Sequence, residues 1–256
     1  MNPTNRWWLL LLGLAWWAQA PAAPDEMPQG LGQALHEARH AIEAEGDSLV
    51  AINHRNDQRI RFEGEGIEVT PTAEDADWRW GMTLTGYGTP GDIQPVQNAE
   101  RQVEGTRLEY RRGPITEWYV NKSVGLEQGF TLSQPPVPDA NELVLALALE
   151  GGLTPEWEQP GQALRFHAPS GYALSYRELK VIDAKGVELP ARLALDGASL
   201  EIRVDARGAA WPVVVDPLVF DEQNASRVWL LSSPCLMSLG ARLLRSIMLE
   251  PSIRPA

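Results

Sequence analysis

Cysteine is all but missing: Cys235 is the single one in 256 residues. No intrachain disulfide can form, so any fold must be held by buried apolar surface, even in an oxidising compartment. Positive charge is also short. Lys and Arg number 22 against 34 Asp and Glu, a formal net charge of −12, which argues against nucleic acid or an anionic lipid surface as partner. The apolar run at residues 7–17 (WWLLLLGLAWW) falls short of the roughly 20 residues of a spanning helix. No glycine-rich loop has the setting of a phosphate cradle, and Ser170-Gly171 and Ser123-Val-Gly125 lack a G-x-S-x-G context. Nucleotide chemistry and a serine nucleophile therefore have no support.

What is present begins with an export signal. Arg6 supplies a positive start, the run at 7–17 an apolar centre, and Ala18 to Ala23 the small residues of a cleavage region. Pro21 disfavours a cut after Ala20, so residues 1–22 are expected as the signal peptide, removed after Ala22. The competing reading is a membrane anchor that stays attached. The length of the run favours cleavage and a secreted, periplasmic or cell-surface destination.

Gly and Pro are frequent, 22 and 20, and they break the chain into short pieces, which predicts strands and turns over long helices. Leu31, Leu35, Ala38 and Ile42 recur at helical spacing, predicting a short helix over 24–46 that Gly46 ends. Period-two text then predicts strands at 48–53, 59–63, 66–70, 78–86, 106–111, 116–121, 126–132, 142–149, 163–167, 172–176, 179–183, 191–195, 200–204 and 211–215. Leu200, Ile202 and Val204 alternate with Glu201, Arg203 and Asp205, a strand with one wet face; residues 143–149 are apolar on both faces and belong in a sheet centre. Asp196-Gly197 marks a hairpin, and Asp183 to Gly186 and Asp205 to Gly208 mark type I turns. The fold class is mostly β, an antiparallel sandwich with a short N-terminal helix. The expected domains are the signal (1–22), a helix and linker (23–47), two β subdomains (48–133 and 140–218) divided by the Pro-rich 134–139, and a tail (219–256). That tail is Leu-, Ser- and Arg-rich, lacks a strand period and holds Cys235. It reads as text foreign to the fold, as after a frameshift.

Several strings together carry a resemblance. They are residues 53–80, Leu108-Glu-Tyr-Arg-Arg112, Thr116-Glu-Trp-Tyr-Val-Asn121, Gly125-Leu-Glu-Gln-Gly-Phe-Thr-Leu132, Glu188-Leu-Pro-Ala-Arg192 and Trp211-Pro-Val-Val-Val-Asp-Pro217. Over residues 30–218 the chain resembles the N-terminal β-rich module of exported bacterial proteins that continue into an FG-GAP, integrin-α-like β-propeller. The resemblance implies a structural or interaction module with no catalytic residues and no cofactor. It also implies propeller blades after Asp216-Pro217, and their Phe-Gly strings and acidic calcium loops do not follow here. Other surface proteins or glycans are the partner classes left open.

Three sets of residues could carry chemistry. His36-Glu37-Ala38-Arg39-His40 is a literal H-E-x-x-H, which on a helix would place two zinc ligands and a general base on one side, with Glu43 or Glu45 as third ligand. A zinc-dependent peptidase is thus one alternative function. Arg39 between the ligands and the strand-only context that follows count against it, so no metal site is expected. Trp78, Trp80, Trp118 and Tyr119 could stack on sugars as a carbohydrate-binding sandwich, against the plainer expectation that such aromatics fill the core. Asp183, Asp196, Asp205 and Asp216 could pair for glycoside hydrolysis or hold calcium, but three of them sit where turns favour Asp. His54 and His167 are expected as surface or core residues.

Overall fold

The N-terminal helix is shorter than its apolar spacing implies. In the computed structural model, which describes residues 29–73, 78–169, 171 and 173–221, α1 (Gln29–His40) stops well before Gly46. Residues beyond it form β1 (Ile42–Glu45), which pairs antiparallel with β2 (Ser48–Asn53). Gly46, at φ +61°, is the tight turn of that hairpin rather than a helix stop, a conformation glycine adopts without steric cost. The expected signal peptide (1–22), Ser170 and residues 222–256 with Cys235 lie outside the described residues.

The chain then lays down β3 (Gln58–Phe62), β4 (Gly66–Pro71), β5 (Trp80–Thr89), β6 (Asp92–Pro95), β7 (Glu100–Glu104), β8 (Arg107–Arg112), β9 (Ile115–Lys122) and β10 (Gly125–Leu132). After the Pro-rich passage come β11 (Glu142–Gly151), β12 (Thr154–Gln159), β13 (Ala163–His167), β14 (Ala173–Ile182), β15 (Ala191–Asp196), β16 (Ser199–Asp205) and β17 (Val213–Asp221). One sheet has the order β1-β2-β3-β4-β5-β11-β16-β15, with β6 also paired to β5; the other has β12-β13-β14-β17-β10-β9-β8-β7. The pairings are antiparallel, and the two sheets face each other as a sandwich. No helix among the described residues is long and apolar enough to cross a membrane.

Residues 134–139 lead from β10 in one sheet to β11 in the other. The stretches 48–133 and 140–218 are lateral halves that share both sheets, because β5 pairs β11 and β10 pairs β17 across the divide. The apolar β11 is central, as its two-faced pattern predicts. A single buried cluster runs through both halves: Phe62, Trp80, Leu145 and Ile202 from one sheet meet Tyr110, Phe130, Phe166 and Val215 from the other. Each lateral margin is closed by a backbone bond between the sheets. Ile42 N–H donates to the Gly105 carbonyl at 2.9 Å, and Leu193 N–H to the Gly161 carbonyl at 2.8 Å. Both sheet edges thereby gain a partner that strand pairing does not supply.

The last strand corrects the sequence reading at its end. The period-two text predicts an end at Val215, yet β17 continues through Pro217 to Asp221 between β14 and β10. Proline offers no N–H to a ladder. The β14–β17 register shifts between Arg177 and Lys180, spanning the place opposite Pro217, with Glu178 at φ +59°. This bulge interrupts the ladder where the proline could not take part. It also makes one strand, β14, of two expected ones. Val219 is 1% exposed in the core, so the fold extends past residue 218.

Candidate functional site

One end of the sandwich gathers α1 with the β2–β3 turn and the β9–β10 turn. Three buried asparagines stitch these pieces together. Asn121 Nδ2 donates to the His40 and Ile52 carbonyls at 3.2 and 3.1 Å. Asn53 Nδ2 donates to Asn121 Oδ1 at 2.9 Å and to the Lys122 carbonyl at 2.7 Å. Asn56 Nδ2 donates to the Val124 carbonyl at 3.4 Å. Buried amides are costly unless bonded, so a set this well satisfied fixes the relative positions of its elements. Above it lies an open cleft of about 560 Å³ lined by His36, Arg39, His40, His54, Arg55 and Ser123, with Gly32 and Leu35.

The H-E-x-x-H residues only partly converge there. The His36 and His40 rings lie 4.4 Å apart. His40 Nδ1 is 2.8 Å from the His36 carbonyl, which can only accept, so Nδ1 carries the proton and Nε2 is left for a ligand. Glu37 is exposed outside the cleft lining, and its Oε1 accepts from Gln33 Nε2 at 2.9 Å. Because the helix ends at His40, Glu43 and Glu45 sit on β1 and line a neighbouring cleft, where Arg59 pairs Glu45. Among the described residues no three His, Cys, Asp or Glu side chains are grouped so as to hold a metal ion.

The aromatic set is core or covered. Trp78, Trp80 and Tyr119 are buried between the sheets, and the Trp80 indole meets Phe166 edge-on at 5.4 Å. Trp118 lies on the outer face of its sheet over Gly129, where a Cβ would come 2.0 Å from the indole Cζ2. Only glycine leaves that space. The Arg107 guanidinium sits 4.5 Å above the Trp118 ring, and the indole N–H donates to Thr131 Oγ1 at 3.3 Å. None of the four presents an open ring face.

Two of the four aspartates are anchored in turns. Asp183 Oδ1 accepts from the Lys185 and Val187 N–H groups and Oδ2 from the Ala210 N–H, at 2.8, 2.9 and 3.1 Å. These bonds, that from Val187 first, hold its carboxyl below the usual range. Asp205 is held at about 2, chiefly by the Arg207 side chain and then by the Arg207 N–H. Asp196 ends β15 at the Gly197 hairpin. Asp216 differs, since it lies in β17. Burial, reinforced by Glu127 and opposed by Lys122 and Lys180, raises it to about 6. A carboxyl raised in the folded state contributes stability at pH below its unfolded value, lost as pH climbs to about 6. Denaturation of Asp216→Asn across pH 4 to 7 should therefore show a flatter stability profile than the parent between about 4 and 6. Equal slopes would contradict the raised value.

A polar network in the core had no signal in the sequence. Glu117 and Arg112 side chains are fully buried, with Arg112 Nη2 3.7 Å from Glu117 Oε2. Glu117 Oε1 accepts from the Tyr119 hydroxyl at 2.6 Å and from Gln128 Nε2 at 3.1 Å, and the Tyr176 hydroxyl donates to Gln128 Oε1 at 3.0 Å. Burial raises the Glu117 carboxyl, with Tyr119, Arg112 and Gln128 opposing. Arg112 also donates to the Gln97 and Glu65 carbonyls at 3.0 and 2.7 Å and pairs the Glu65 carboxylate. It thus clamps β8 to the β3–β4 turn of the facing sheet.

No family model matches this chain. No curated protein matches it either. Among solved structures, it is similar to a glycoside hydrolase family 81 enzyme from Clostridium thermocellum, with a TM-score of 0.40 and 12% identity over 72% of this chain. The chain spans 24% of the length of that enzyme.

The cleft residues drawn together by the fold come from three separated stretches. His36 and His40 carry a visible motif, whereas His54, Arg55 and Ser123 have no local pattern that announces them. Only the pairing of β2 with β3 and of β9 with β10 brings their turns to α1.

Proposed function

We propose that this chain is a non-enzymatic structural or interaction module of an exported or cell-surface bacterial protein, placed between an export signal and an FG-GAP propeller. The observation that supports it most is where the hand-over string lies. Trp211-Pro-Val-Val-Val-Asp-Pro217 leads into and forms the first part of β17, a strand held on both sides in the middle of its sheet. A segment joined to this strand would leave from the middle of its sheet. The other strings of the resemblance are structural too: Leu108 to Arg112, Thr116 to Asn121 and Gly125 to Leu132 lie in β8, β9 and β10 of that same sheet.

The alternatives have less to rest on. A peptidase needs Glu37 beside a metal, and its carboxylate is turned to Gln33. A sugar platform needs an open ring, and Arg107 covers Trp118.

The test is made on the full chain in its producing cell. Terminal sequencing should find a mature protein starting at Ala23 outside the cytoplasm, and the nucleotide sequence past codon 221 should encode FG-GAP blades in another frame. An unprocessed cytoplasmic chain, or peptide hydrolysis abolished by Glu37→Gln, would overturn the reading.

A further inference from the structure

We infer that the cleft between α1 and the β2–β3 and β9–β10 turns is a binding site for a small ligand carrying an oxyanion group, a carboxylate or a phosphate. The first ground is charge. The chain has 34 acidic residues to 22 Lys and Arg, and its arginines are mostly taken up by carboxylates, as Arg79 is by Glu68, Arg192 by Glu142 and Arg203 by Glu201. In the cleft this balance inverts. Three histidines and two arginines line it with no Asp or Glu, while Arg39 and His54 also border the neighbouring cleft that holds Glu43 and Glu45. Arg39 has no carboxylate partner among the described residues. A concave site with basic groups on several walls concentrates anions from solution.

A plainer account exists for part of the set. Basic residues in the last turn of a helix complement its dipole, and Arg39 and His40 occupy that turn. That account does not reach His54 and Arg55, which come from the β2–β3 turn, or Ser123, from the β9–β10 turn. Their convergence is a property of the site.

The donors suit an oxyanion. The guanidinium of Arg39 can offer two parallel N–H groups to a carboxylate or phosphate edge. Ser123 adds a hydroxyl that can donate to the same group. Two guanidinium groups in the lining disfavour a metal cation. The walls are also fixed in advance. Asn121 ties the end of α1 to β2, and Asn53 and Asn56 tie the β2–β3 turn to the β9–β10 turn, so little ordering remains to oppose binding. A cleft of about 560 Å³ falls in the size range of small-molecule sites. Leu35 in the lining and Leu31 one turn earlier, both exposed, give the apolar body of such a ligand a surface to lie on. The site works whether or not a propeller follows, so its test is separate from that of the module's role.

Titration calorimetry of the full chain at constant pH and ionic strength, with inorganic phosphate and with citrate as separate probes, tests the inference. Saturable binding of either probe at one site is expected, and the tighter of the two identifies the group as phosphate or carboxylate. Arg39→Gln and His54→Gln, both at exposed positions, should each weaken binding about tenfold. Arg79→Gln makes the same change in net charge outside the cleft and should leave the affinity unchanged. Absence of saturation by both probes, an equal loss in Arg79→Gln, or binding of zinc in place of both anions would overturn it.

Discussion

Arg112→Met is expected to destabilise the fold by about 3–5 kcal/mol, the usual cost of stripping one partner from a buried charged pair. The guanidinium has no exposed surface. Its removal leaves the Gln97 and Glu65 carbonyls without their donor and deprives Glu117 of the cation that pairs with it among the described residues. Methionine restores much of the volume, so the loss is electrostatic rather than a cavity. The sign of the pH dependence separates these causes. Burial raises the Glu117 carboxyl, and without Arg112 nothing opposes that rise except the Tyr119 and Gln128 hydrogen bonds. A raised carboxyl stabilises the fold below its unfolded value and loses that contribution as pH rises. Acidification from neutral toward about pH 5 should therefore recover part of the stability lost in Arg112→Met. Adding Glu117→Gln should recover it at neutral pH, because the second substitution removes the stranded charge. Urea denaturation of the parent, both single variants and the double variant at pH 5 and 7 forms the cycle. A loss under about 1 kcal/mol with no pH response would mean that this network carries no buried charge.

Thr116-Glu-Trp-Tyr-Val-Asn121 alternates, but both its faces hold an aromatic, so alternation alone does not say which side is inside. The fold turns Glu117, Tyr119 and Asn121 inward and leaves Trp118 on the outer face. Polar residues inside are tolerated only because partners arrive from the flanking β8 and β10 and, from far away in sequence, β14 and the β3–β4 turn. Strands with one wet face were legible, as Leu200, Ile202 and Val204 show by lying fully buried. The strands that reading missed, β1, β6, β7 and β12, have polar text and mostly exposed residues. Three of them end a sheet, and β6 lies off the main path of its own. An edge strand is shaped by the need to remain wet and charged, so it lacks the apolar alternation that marks the interior. The cleft was half legible for a related reason. The histidines of α1 are visible as a motif, but a motif does not show that the helix ends at His40 and sends Glu43 and Glu45 elsewhere.

Trp80→Ala should be the other severe substitution, at about 3–5 kcal/mol for emptying a fully enclosed aromatic site. Trp80 is 1% exposed and opens β5, in the first lateral half, while Phe166, whose ring it meets edge-on, lies on β13 in the second half and the opposite sheet. The indole therefore joins the two halves as well as the two sheets. Its N–H has no hydrogen-bond partner among the described residues, so the effect of truncation is one of packing, and Trp80→Phe should return a large part of the loss. The more telling result is the shape of the transition. If 48–133 and 140–218 folded as separate units, weakening their contact would split unfolding into two steps. Because β5 pairs β11 and β10 pairs β17 without a break between the halves, neither half can leave without exposing a sheet edge of the other. Trp80→Ala should unfold in a single transition, with circular dichroism and tryptophan fluorescence coincident at a lower midpoint. Two resolved transitions would show that the shared strands do not couple the halves, and the Pro-rich stretch would then mark a domain boundary.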